Sequence, residues 1–158
     1  MGAILYDTHI SIISKKGTAV STDSLLTVRE KDNPDSVSQV EWQLPKLVRL
    51  EKFKGTISFW GDAVAELKRF PPKPKEDIDF NWTLYNWLIE KCKNISRTTL
   101  EDFVRHLTQD LKAEYEKRKW LNNGIGIHVT GYEYVDNTFI PELFLISNYA
   151  DTSYTKLR

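Results

Sequence analysis

TTLEDFVRHLTQDLKAEYEKRK, residues 98–119, is the most regular stretch of this sequence. Thr98 and Glu101 have the spacing of a capping box, with Thr98 as the N-cap. Behind them Leu100, Phe103, Leu107, Leu111 and Tyr115 recur every three or four residues, which marks one face of a helix. Lys117, Arg118 and Lys119 close it with charges that suit the negative end of a helix dipole. Asn122-Asn123-Gly124 then stops it. The stripe predicts a helix packed on a sheet through Leu100, Phe103, Leu107 and Leu111, with Glu101, Lys112 and Glu116 facing water.

The period changes on both sides of this helix. After it, Ile125, Ile127 and Val129 alternate as a strand, Asp136-Asn137 makes a turn, and Glu142 to Ile146 forms the antiparallel partner. Before it, Phe80 to Asn94 reads as a second helix with Leu84, Leu88 and Cys92 spaced by four. PPKPKEDID, residues 71–79, is a charged proline-rich loop. Asp62 to Phe70, with Ala63, Leu67 and Phe70 on one side, reads as a third helix. The first 60 residues read as strands. Ile10 and Ile12 lead through a Lys15-Lys16-Gly17 turn to Ala19 and Val20. Lys46 to Leu50 and Gly55 to Trp60 each show a period of two. The polar stretch Arg29 to Ser38, with its Asn33-Pro34 pair, is expected to be a loop. Strands, then helices, then strands predict a single α+β layered domain rather than alternating βαβ units.

The 158 residues suffice for one domain with a proper core. Twenty-two basic residues balance 22 acidic ones, so the net charge is zero and no nucleic-acid partner is expected. The lone Cys92 cannot form an internal disulfide, which points to a reducing, cytoplasmic setting. No apolar run approaches the ~20 residues that cross a bilayer, so no membrane contact is expected. The segment MGAILYDTHISIIS lacks a basic leader and a small-residue cleavage site, and does not read as a signal peptide.

Familiar catalytic patterns do not stand out. His9, His106 and His128 have no Cys, Asp or Glu at metal-ligand spacing, so ordinary structural roles and no metal are expected. Cys92 lies on the apolar stripe of its helix, where a buried inert thiol is expected. Phosphate-loop, dinucleotide and nucleophile-elbow patterns are absent, and no cofactor is expected. Trp42, Trp60, Trp82, Trp87 and Trp120 are scattered over different elements, as packing residues are. Phe80, Trp82, Tyr85 and Trp87 together hold more aromatic surface than one stripe hides. With Leu84, Leu88 and Cys92 turned inward, Trp82 or Tyr85 is expected partly outward, either for contact with another subunit or covered by the folded-back proline-rich loop.

One ordered set of segments is more informative. Gly17-Thr18-Ala19-Val20-Ser21-Thr22-Asp23-Ser24 resembles the second strand of proteasome-type subunits, where a glycine turn leads to a small-residue strand ending in Asp-Ser. Pro45-Lys46-Leu47-Val48-Arg49-Leu50 resembles that family's lysine strand. Gly55-Thr56-Ile57-Ser58-Phe59-Trp60-Gly61-Asp62-Ala63 is similar to its next strand, which breaks at glycine into a helix. Ile127-His128-Val129-Thr130-Gly131-Tyr132 is similar to its strand ending in Gly-Tyr, with Pro141 to Ile146 in the place of the partner strand. The resemblance runs in order from about residue 8 to the end, and the family is the N-terminal-nucleophile hydrolases, in particular proteasome β and bacterial HslV-like subunits.

The resemblance implies a layered sandwich of antiparallel sheets and helices in an assembly of several subunits, either homo-oligomeric or with other proteins. It also implies a peptide or amide substrate. In that family a mature N-terminal threonine supplies the nucleophile and its own amine the base. Lys46 matches the lysine that stabilises negative oxygen, Asp23 the aspartate that holds the lysine, and backbone N–H groups near Gly61 the oxyanion site. The nucleophile departs from the pattern. The family's spacing falls on Asp7, and Thr8 is one residue late, which in a strand is the opposite face. Thr8 can serve only after cleavage between Asp7 and Thr8; otherwise the chain is expected to be catalytically silent. The family's domain also continues beyond the point where this sequence stops, so its C-terminal part is expected to be missing. The other expectation left open is a non-enzymatic protein-interaction domain of α+β architecture.

Overall fold

The computed structural model describes residues 9–22, 25–30, 33–43, 45–61, 83–93, 95–117, 124–148 and 153–157. Among them the chain forms β1 (His9–Ser14), β2 (Gly17–Thr22), β3 (Leu25–Glu30), β4 (Asn33–Gln43), β5 (Leu47–Leu50), β6 (Gly55–Gly61), α1 (Leu84–Lys93), α2 (Leu100–Lys117), β7 (Ile125–Val135), β8 (Thr138–Ser147) and β9 (Ser153–Leu157). The fold is α+β, with antiparallel sheets. The expected helix from Asp62 to Phe70 and the proline-rich loop lie outside the described residues, as do Phe80, Trp82 and Asn122-Asn123.

The centre is a five-stranded antiparallel meander, β5-β6-β7-β8-β9, into which α1 and α2 are inserted between β6 and β7. Its two faces follow from strand alternation. Val48, Ile57, Val129 and Phe144 pair across four strands as one buried row, and Phe59, Ile127 and Ile146 form the next. α1 packs on β5, and α2 reaches β7, β8 and β9 on this side. Leu100, Phe103, Leu107 and Leu111 are buried while Glu101, Lys112 and Glu116 are exposed, as the stripe requires. Leu107→Ala is expected to cost roughly 2–5 kcal/mol by large-to-small truncation of a core residue. A urea midpoint equal to that of the parent would show that the stripe is not core.

The opposite face carries Ser58, His128 and Leu145 in one row, and Trp60 and Gly126 in the next. The β1–β2 hairpin lies over this face, touching β6, β7 and β8. This second cover explains why Ser58 and Thr130 are buried although they point away from the helices. Thr56 and Thr130 satisfy each other through their hydroxyls at 2.8 Å. The Trp60 ring lies across Gly126, where an added Cβ would fall on it.

The turns are as local chemistry dictates. Lys15-Lys16 joins β1 to β2, and Asp136 and Asn137, both with left-handed backbone (φ 49 and 61), join β7 to β8. Asn and Asp tolerate that region better than most residues.

Several expectations need correction. Arg29 to Ser38 is not one loop: its ends belong to β3 and β4, which pair as an antiparallel ribbon. A ladder is made by backbone groups, so polar side chains do not prevent it, and both strands of a two-stranded ribbon are edges where Pro34 is tolerated. The cap of α2 is Thr99, not Thr98. Its Oγ1 accepts the Asp102 N–H at 3.1 Å, and the Glu133 carboxylate of β7 accepts the Leu100 N–H. The helix therefore takes its second cap from the sheet, which no local pattern encodes. α1 starts at Leu84 rather than Phe80, with the Thr83 hydroxyl accepting the Asn86 N–H at 3.0 Å. Trp87 is buried and Tyr85 is half-buried against the core, while Phe80 and Trp82 lie outside the described residues. β9 was not visible in the sequence. It completes the sheet against β8.

Candidate functional site

Two observations orient the hairpin on the sheet. Ser11 Oγ lies 3.2 Å from His128 Nδ1, and the Tyr132 hydroxyl donates to the Ser14 carbonyl at 2.7 Å. β1 therefore runs along β7 in the same direction. Its first residue, His9, pairs with the last of β2, Thr22. Both lie toward the end of the sheet where Gly61 pairs with Ile125.

Lys46 belongs to that same end. It sits one residue before β5, is 2% exposed, and its carbonyl accepts the Phe59 N–H at 3.3 Å. Gly61 lies two residues beyond Phe59, about 7 Å along an extended strand. An ammonium is costly to bury unless engaged, and Lys46 has an interaction partner within the fold. Gly61 ends β6 with φ +93, and a Cβ there would fall on the Gly124 carbonyl. Only glycine meets both demands without strain. Thr8 and Asp23 lie outside the described residues. Lys46 and Gly61 thus lie toward the same end of the sheet as the β1-start/β2-end pair, with the hairpin on the face opposite the helices.

His128 is the group that sequence reasoning undervalued. It is half-buried between hairpin and sheet, with Trp60 edge-on at 5.0 Å and Ser11 on its ring nitrogen. The two partners are 117 residues apart, so no spacing rule could have joined them. Burial pushes the imidazole below its ordinary value near 6.5. Below about pH 6.5 the unfolded chain therefore binds more protons than the folded one. Stability from this group is present above that pH and is lost as pH falls through the folded pKa. Acidifying from about pH 7.5 to about pH 5 should lower the thermal midpoint, and His128→Gln should flatten that dependence. Parallel pH profiles for the two proteins would remove His128 as the cause.

Several titratable groups tie the helices. Asp102 takes Arg105 at 2.5 Å and holds His106 Nδ1 at 3.4 Å, while Lys91 joins α1 to Asp110 of α2 at 2.7 Å. Cys92 is half-buried, and burial pushes its thiol up to about 11, which suits an inert side chain. Among the described residues no group of three or more His, Cys, Asp or Glu side chains could hold a metal ion, and no helix is long and apolar enough to cross a membrane. No protein-family model, no curated protein and no solved structure matches this chain.

Proposed function

We propose that this chain is a proteasome-like subunit of the N-terminal-nucleophile fold, working in a self-associating assembly and catalytically silent. The observation that carries the reading is that Lys46, Gly61 and the β1-start/β2-end pair lie toward the same end of two stacked β layers. That family builds its nucleophile, lysine and oxyanion groups at such an end. The helices on the outer face of the larger sheet also suit its sandwich. Silence follows from spacing: Asp7, not a threonine, falls where the nucleophile belongs, and Thr8 is on the opposite strand parity. Lys46 then serves as a buried structural cation.

The test combines light scattering with intact mass after exposure to a peptide boronate and to a peptide epoxyketone. The epoxyketone bonds covalently to an N-terminal threonine. The expected result is a mass above that of the monomer with no adduct and no turnover of a peptide amide. A chain that is monomeric at every concentration would overturn the assembly. An adduct on a chain beginning at Thr8 would overturn the silence and make Lys46 a catalytic residue.

A further inference from the structure

The β7–β8 hairpin projects beyond the sheet. Among the described residues β6 accompanies β7 as far as Thr130 and β9 accompanies β8 from Leu143, whereas the β7–β8 pairing continues to Val135 and Thr138. Pro141 falls in this projecting part, where, among the described residues, β8 has no second strand beside it and a missing N–H is tolerated. On the face shared with the β1–β2 hairpin, the projection carries Tyr132, Tyr134 and Phe139. Phe139 lies 5.0 Å from Tyr134 and meets Tyr132 edge-on at 6.4 Å. Tyr134 is 61% exposed and Phe139 43%. Aromatic rings gathered on a surface mark an interaction site more often than scattered apolar residues do.

The charges beside this cluster are mostly positive. Lys54, held in a left-handed backbone conformation (φ 47), places its ammonium 4.1 Å from the Phe139 ring centroid. The exposed Lys15-Lys16 turn follows Ser14, whose carbonyl receives the Tyr132 hydroxyl. An open cleft of about 620 Å³ adjoins Lys54 and is walled by Arg49, Glu51 and Thr56. Among the described residues four cations thus stand against two carboxylates, Glu51 and Asp136. Glu133 and Glu142 belong to the other face, engaged with α2 and Lys156.

We propose that this end binds an acidic segment of another protein that carries an aromatic side chain. Its carboxylates meet Lys54, Arg49 and the lysine turn, and its ring packs on Phe139 and Tyr134. A peptide fits better than a nucleic acid because Glu51 sits in the cleft and pairs with Arg49 at 2.9 Å, which interrupts any cationic track for a phosphate backbone. The site lies at the Gly55 end of β6, about 20 Å of strand from Gly61, so it does not depend on the proposed fold relationship.

The test is fluorescence anisotropy on the full chain with a labelled peptide of repeating Glu-Asp-Phe. Comparison probes are the same peptide with Lys for its acidic residues, the same with Ser for Phe, and oligothymidylate. Saturable binding of the acidic aromatic peptide alone is expected, weakening as salt rises from about 0.05 M to about 0.3 M. Phe139→Ser with Tyr134→Ser should weaken it about tenfold or more, the scale of lost aromatic anchors. Lys54→Glu should weaken it severalfold and leaves both rings in place, so the charge contribution is read even if the double variant alters the hairpin. Absence of saturable binding, affinity unchanged in both variants, equal binding of the Ser-for-Phe peptide, or tighter binding of oligothymidylate would each overturn the proposal.

Discussion

Phe59→Ala is expected to destabilise the protein by about 3–5 kcal/mol, the range for truncating a buried phenylalanine. Phe59 is fully buried on β6, the second strand of the sheet, facing the helices. Ile127 lies directly across on β7, and Ile146 lies across from Ile127 on β8. A cavity at Phe59 is therefore walled on the sheet side by backbone-paired strands, which cannot move inward without breaking ladder hydrogen bonds. The helices on the other side are tied by Lys91–Asp110 and by the Glu133 cap. Partial collapse is thus limited, and the cost should fall in the upper part of the range. Urea unfolding followed by tryptophan fluorescence measures it. A loss below about 1 kcal/mol would mean that the helices close over the gap, and would contradict the rigid layering described above.

Gly61→Ala is expected to be strongly destabilising, because conformation and space both oppose it. Its backbone at φ +93 alone costs a residue with a Cβ about 1–3 kcal/mol. The methyl also meets the Gly124 carbonyl, a backbone atom that cannot swing aside as a side chain would. Relief requires parting β6 from β7 at the Gly61–Ile125 pair, which is the end that holds Lys46. Gly17→Ala is the control. Nothing lies within 4 Å of a Cβ there, so the change should stay within about 0.5 kcal/mol. Hydrogen exchange at Ile125 and Phe59 would localise the damage. Unchanged protection in Gly61→Ala would show that the strand end is free to rearrange.

What the sequence determined by itself was local. The α2 stripe is readable because Leu100, Phe103, Leu107 and Leu111 recur at the helical period, and a helix satisfies its own backbone. The Lys15-Lys16 and Asp136-Asn137 turns, and the inward sets Val48/Leu50 and Ile57/Phe59, are likewise encoded by neighbours along the chain. Tertiary structure decided whatever depends on a partner far away. β3 and β4 form from a polar stretch because a ladder needs only backbone groups, and β9 exists because β8 offers it an edge. The sheet supplies Glu133 as a second cap for α2, although the strand follows the helix in sequence. Trp87 is buried because α1 packs its Leu84–Trp87–Leu88 face against the core. The candidate site followed the same division. Lys46 and Gly61 could be named one by one from their segments. Their placement toward one end of the sheet comes from strand pairing, and the contact of Ser11 with His128 arises only when the hairpin is laid on β7, since strand stacking is set by packing between layers and leaves no periodic mark in the chain.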